Sequence, residues 1–215
     1  MLIQGSVGPQ ATTTSVSPSV SPNLRMGNMG DAIFSELQPR YYESTYRRAS
    51  FSGANQSVVT TAFTAGLGTT YTGGLVLSNP FGNTYNVVLT KVGVAFVVAQ
   101  TNAAVIGVAA GQSSTALSGT LTSVAPSSDL IGSGASPTAQ LYSSASITLP
   151  VAPVLKRIIG AVDTGALTVA TFGSGIVDLE GGIILPPGGF ATIYSSATGT
   201  VSSFFGSMAW CEVPI

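Results

Sequence analysis

Between Ala49 and Ile215 the chain places eight charged side chains on 167 residues, while seven others (Arg25, Asp31, Glu36, Arg40, Glu43, Arg47 and Arg48) crowd into residues 25–48. This asymmetry restricts the fold more than any other feature. A solvated helix takes its polar face largely from Glu, Lys, Arg and Gln, and beyond Ala49 these are too sparse to build one. Ser, Thr, Ala and Gly supply 102 of the 215 residues instead. Small and β-branched residues suit close-packed sheets with neutral, hydroxyl-bearing faces. Charged residues make up 7% of the chain, against the usual quarter for soluble domains. So neutral a surface is suited to facing other protein.

The pattern after Phe51 agrees. Short apolar or alternating runs recur between clusters of Gly, Asn, Pro and Ser. They predict strands near 57–64, 74–78, 85–99, 103–109, 140–148, 166–172, 175–179, 182–185, 189–195 and 201–213. Asn79-Pro80-Phe81-Gly82-Asn83 and Pro186-Pro187-Gly188-Gly189 read as turns. Residues 111–138 are nearly all small, with Asp129 as their one charge, and read as a long loop or an excursion from the main body. The large residues Phe204, Phe205, Met208, Trp210, Val213 and Ile215 read as a buried closing strand. The expected fold class is all-β: an antiparallel β-sandwich or jelly-roll-like domain over residues 51–215, preceded by an extended N-terminal arm with at most one short helix.

The arm, residues 1–50, has two parts. Residues 1–23 carry no charge and have prolines at 9, 18 and 22, so they read as extended or mobile. They lack the basic and continuous apolar regions of a secretory signal. Residues 24–50 read as an anchoring segment. Asp31 is placed to cap a short helix over 32–38 that Pro39 would end. Arg40, Tyr41, Tyr42, Tyr46, Arg47 and Arg48 form the candidate partner-binding group, because Tyr and Arg dominate interface hot spots. A surface strand of mixed charge is the plainer reading of the same residues.

Several function classes are disfavoured. The chain has no histidine, so Ser-His-Asp and Cys-His catalysis are excluded. The fragments Gly132-Ser133-Gly134 and Gly173-Ser174-Gly175 have no partner base. A single cysteine, Cys211, rules out an intrachain disulfide and reads as a small buried residue beside Trp210. Asp178 and Glu180 alternate on an expected strand and, with Asp163, offer a carboxylate cluster for a cation or for hydrolysis, or simply a solvated turn. The overall expectation is no enzyme, no cofactor and no metal. A net charge of −1, with the pairs Arg47-Arg48 and Lys156-Arg157, gives no footprint for nucleic acid. The apolar stretch 92–111 is broken by Gln100-Thr101-Asn102, so it reads as two strands and a turn, and no membrane partner is expected.

Three stretches carry a resemblance. They are Glu36–Glu43 with Tyr46–Phe51, Gly74–Gly82 with Val87–Val92, and Ile184–Tyr194 with Trp210–Ile215. On these the chain resembles tailed-bacteriophage virion proteins. The resemblance implies a β-sandwich or jelly-roll part that decorates a capsid or forms a tail appendage, and it brings no functional residues with it. The expectation is a virion protein made in the host cytoplasm. It would be a capsid decoration or cement protein, homotrimeric, bound to the major capsid protein or another virion protein. The alternative is a tail-fibre or receptor-binding head contacting host carbohydrate, for which Tyr71, Phe81 and Tyr142 are the few loop aromatics. A jelly-roll shell subunit is disfavoured, because the arm is not basic before Arg25.

Overall fold

The computed structural model describes residues 5–6, 24–25, 40–55, 65–71, 74–98, 102–144, 146–162, 174–198 and 203–215. It divides into two units, Met1–Tyr42 and Glu43–Ile215. In the first, β1 (Gly5–Ser6) and β2 (Leu24–Arg25) pair in parallel. A one-turn helix, α1 (Tyr42–Tyr46), follows. The expected helix over 32–38 and the expected strands over 57–64 and 166–172 lie outside the described residues.

Beyond α1, the described elements of the second unit are strands. It contains β3 (Ser50–Ala54), β4 (Thr70–Tyr71), β5 (Gly74–Ser78), β6 (Tyr85–Val98) and β7 (Ala104–Gln112). Then come β8 (Ser118–Thr120), β9 (Ser123–Val124), β10 (Ser127–Ser128), β11 (Gln140–Ser144) and β12 (Ser146–Thr148). The last four are β13 (Val154–Val162), β14 (Ser174–Leu185), β15 (Gly189–Ser195) and β16 (Ser203–Pro214). Every pairing among them is antiparallel.

The strand order defines the topology. One sheet runs β10-β3-β16-β6-β14 and the other β13-β7-β15-β5-β11-β9. Setting aside the strands inserted between β7 and β13, and the short β4, eight strands remain. Counted along the chain, one sheet reads first, eighth, third, sixth, and the other fifth, fourth, seventh, second. This interleaving is the jelly roll, two sheets wound from nested Greek keys. The main core lies between them, built from inward residues such as Leu75, Leu77, Leu89, Val92, Ile193, Phe204, Met208 and Trp210.

The insertion is not a distal excursion. Its strand β10 extends one sheet beyond β3, and β11 and β9 extend the other beyond β5. β8 and β12 join β4 in a third sheet, ordered β4-β12-β8. Ile147 and Leu149 from this layer pack on Val76 and Phe190, giving a second small core on the outer face of the six-stranded sheet. The stretch expected as one strand, 140–148, therefore serves two sheets, β11 in one and β12 in the other. Asp129 ties the insertion down: its carboxylate accepts hydrogen bonds from the hydroxyls of Ser50 and Ser52, each at 2.5 Å.

Two buried polar side chains lock the frame. Asn79 is fully buried where the two sequence-predicted turns meet. Its amide nitrogen donates to the carbonyls of Tyr85 and Leu185, both at 2.9 Å, and its side-chain oxygen accepts from Asn83 at 2.6 Å. Its backbone exchanges hydrogen bonds with the second turn, N–H to the Gly189 carbonyl and carbonyl from the Gly188 N–H, each 2.8 Å. Gly188 has φ +81°, and a Cβ there would collide with the Ser113 carbonyl. Glu212 performs a similar role at β16. Its carboxylate accepts from the backbone N–H groups of Thr138 and Ala139, from the Thr138 hydroxyl at 2.7 Å, and from the Trp210 indole at 3.4 Å. A buried carboxylate is tolerated when so many donors replace its water.

Strict alternation along β16 corrects two expectations. Phe204, Met208, Trp210 and Glu212 point inward, whereas Phe205, Ser207 and Val213 are exposed on the opposite face. The closing strand therefore buries only half of its large residues. Cys211, being next to Trp210, shares that outer face and is half-buried instead of buried. The stretch 92–111 does form two strands, β6 and β7. Among the described residues no helix is long and apolar enough to cross a membrane.

Candidate functional site

The six candidate anchoring residues fall on both sides of the division between units. Arg40, Tyr41 and Tyr42 belong to the first, Tyr46, Arg47 and Arg48 to the second. The Arg40 guanidinium lies 5.7 Å from the centre of the Tyr41 ring, within cation–π range. Tyr42 and Tyr46 begin and end α1. The helix stops because Arg48 turns left-handed (φ 59°), its N–H closing on the Thr45 carbonyl at 2.9 Å. Arg40, Tyr46, Arg47 and Arg48 are exposed. The segment is thus a turn of helix with a kinked exit, where the plainer sequence reading had a surface strand.

A second surface emerges only from the fold. The third sheet covers part of the outer face of the six-stranded sheet, whereas on the outer face of the five-stranded sheet Asp129 caps Ser50 and Ser52 at the β3 side and large apolar side chains are exposed toward β14. Registers place its residues in rows. One row runs Ile184, Val88, Cys211; the next Asp178, Lys91, Ala209, Ser52; the next Ile176, Gly93, Ser207, Ala54. Ile176 is 80% exposed, Ile184 56%, Val213 47% and Phe205 37%. The charges in these rows, Lys91 and Asp178, stand directly opposite each other across β6 and β14. The face is therefore close to neutral, smooth where small residues lie and apolar where large ones project.

The adjoining edge continues this character. β13 and β14 are the outermost strands of their sheets on one side, and Ile159 packs on Gly175 between them. Val154 and Ile158 project from β13 into solvent. Two register shifts and the side chains of Lys156 and Arg157 interrupt this edge, so it is poorly suited to adding a further strand. Contact here would be made by side chains. The sequence pattern gives no sign of β13, because its bulges break the period of two and its exposed residues mix Val154 and Ile158 with Lys156 and Arg157.

Of the three candidate carboxylates, Asp178 and Glu180 are among the described residues. Asp163 lies outside the described residues. Asp178 and Glu180 are both exposed, but the strand bulges after Asp178, Glu180 adopts φ 52°, and its N–H donates to the Asp178 carboxylate at 3.0 Å. This is the geometry of a solvated turn. Among the described residues no three Cys, Asp or Glu side chains converge as metal ligands do.

No protein-family model and no curated protein matches the sequence. Among solved structures, a chain of the Israeli acute paralysis virus full particle, heated to 63 degrees, aligns at 10% identity with a TM-score of 0.24. The alignment covers 96% of this chain and 82% of that one.

Proposed function

We propose that this protein is a structural component of a virion, a decoration or cement protein of a tailed-bacteriophage head. It acts by contact alone. The observation that carries this reading is the exposure of Ile176, Ile184, Phe205 and Val213 on the outer face of the five-stranded sheet. An apolar face of this kind on a free monomer invites aggregation, and burial against another protein removes it from water. Copies of the chain associate through that face, most simply as a homotrimer. The segment 24–50, with Arg40, Tyr41, Tyr42, Tyr46, Arg47 and Arg48, supplies the anchors to the shell. Jelly rolls are frequent in both viral capsids and lectins, which is compatible with this role without specifying it.

The topology favours one further reading, a shell subunit in its own right. The absence of basic residues before Arg25 speaks against an arm that meets the genome. A tail-fibre or receptor-binding head is the remaining alternative. Native particles imaged by cryo-electron microscopy decide among the three by position and copy number. Density for this chain on the outer surface of a shell built by another protein is the expected result. Density forming the shell itself, or only at the tail, would overturn the decoration reading.

A further inference from the structure

The third sheet does more than cover a core. Beside it, on the outer face of the six-stranded sheet, lies a cleft of about 440 Å³, within the range of small-ligand pockets. Its base is set by register. Phe190 and Gln140 flank Ser78 across β15, β5 and β11, and Tyr142 stands two residues on from Gln140, on the same face. Phe81, 67% exposed, projects from the Asn79–Asn83 turn at the rim. Leu117 with Ser114 and Thr115 completes the wall. The Phe190 ring lies over Gly111, where a Cβ would come within 2.7 Å of it. The tyrosine hydroxyl donates to the Gln140 side-chain oxygen at 2.6 Å, leaving the amide N–H₂ as donor and the tyrosine oxygen as acceptor. Burial raises the Tyr142 hydroxyl above its ordinary pKa, so it remains a neutral donor.

The composition of the lining selects the ligand. No Asp, Glu, Lys or Arg lines the cleft, so a charged guest would lose its hydration without a counter-charge. A pure hydrocarbon would strand the amide and hydroxyls. A peptide is usually held through its main chain, but β5 and β15 are interior strands whose backbone groups are spent in their own ladders. What fits is a neutral molecule with an apolar face for aromatic rings and hydroxyls for amide and hydroxyl partners. We infer that this cleft is a binding site for an uncharged saccharide, stacked on Phe81 and Tyr142 and hydrogen-bonded by Gln140. The inference is independent of how the protein attaches to a particle.

The test uses the full chain and an array of neutral oligosaccharides built from glucose, galactose, mannose and N-acetylglucosamine. Sialylated and sulfated glycans and a proline-rich peptide are the comparison arms. Hits are titrated by calorimetry with the wild type, Phe81→Ala and Gln140→Ala. Both positions are exposed, so the variants keep the fold, as circular dichroism will verify. A neutral glycan should bind, and Phe81→Ala should weaken it about tenfold, as loss of an aromatic contact does. Particle occupancy should be unchanged. No neutral glycan bound at millimolar concentration, binding confined to charged glycans or the peptide, or undiminished affinity in both variants would each refute the site.

Discussion

Glu212 ties several parts of the fold together through one side chain. It is 6% exposed, and its two oxygens hold the backbone of Thr138 and Ala139 against β16. Glu212→Gln keeps the size but replaces one acceptor by a donor facing N–H groups that remain buried. The expected loss is about 1–3 kcal/mol, read as a lower urea midpoint with an unchanged slope. Gly188 is constrained differently. Its positive φ and its contact with the Ser113 carbonyl leave no room for a side chain. Gly188→Ala should therefore cost more than about 1 kcal/mol, since strain in the native state outweighs the entropy gained in the unfolded chain. Equal stability of Gly188→Ala and wild type would mean that the two turns do not meet as described.

At the scale of elements, the decisive contrast is between a sheet face that carries a further layer and one that exposes large apolar side chains. Ile176→Lys with Phe205→Lys changes only outward side chains on β14 and β16, where a surface substitution normally shifts stability by less than about 0.5 kcal/mol. The melting temperature should barely move, while light scattering should show the oligomer reduced to monomer. An unchanged mass would place self-association elsewhere. The sequence made much of this level readable. Strands 74–78 and 189–195 coincide with β5 and β15, because clean turn signals bound each run. The antiparallel class followed from the same punctuation. What stayed hidden was non-local. β13 is masked by its bulges, and the insertion's short strands carry no period of their own, being held by partners such as Ser50 and Val76 far away in the chain. The candidate site was half visible: Arg40 to Arg48 stand out by composition. Ile176, Ile184 and Phe205 look like core residues until the register shows which way each points.

For the whole molecule, the prediction is a division of labour. Deleting residues 1–48 leaves β3 intact from Ser50 and should yield a folded oligomer that no longer attaches to particles stripped of the protein. Replacing Arg40, Arg47 and Arg48 by Ala should weaken attachment while oligomer and fold survive. An arginine whose buried partner is left behind costs about 2–5 kcal/mol. Saturation of the particle by the truncated form would assign attachment to the β domain. The position of β16 also governs how such a molecule can be made. Late in the sequence, it lies in the middle of its sheet, hydrogen-bonded to β3 on one side and β6 on the other. On a growing polypeptide, β3 and β6 wait without the strand that joins them until residues beyond 203 have left the ribosome. Sheets closed by such distant partners fold slowly. For the length of that wait the nascent chain exposes two unpaired edges and an open core, the surfaces through which partly folded chains aggregate.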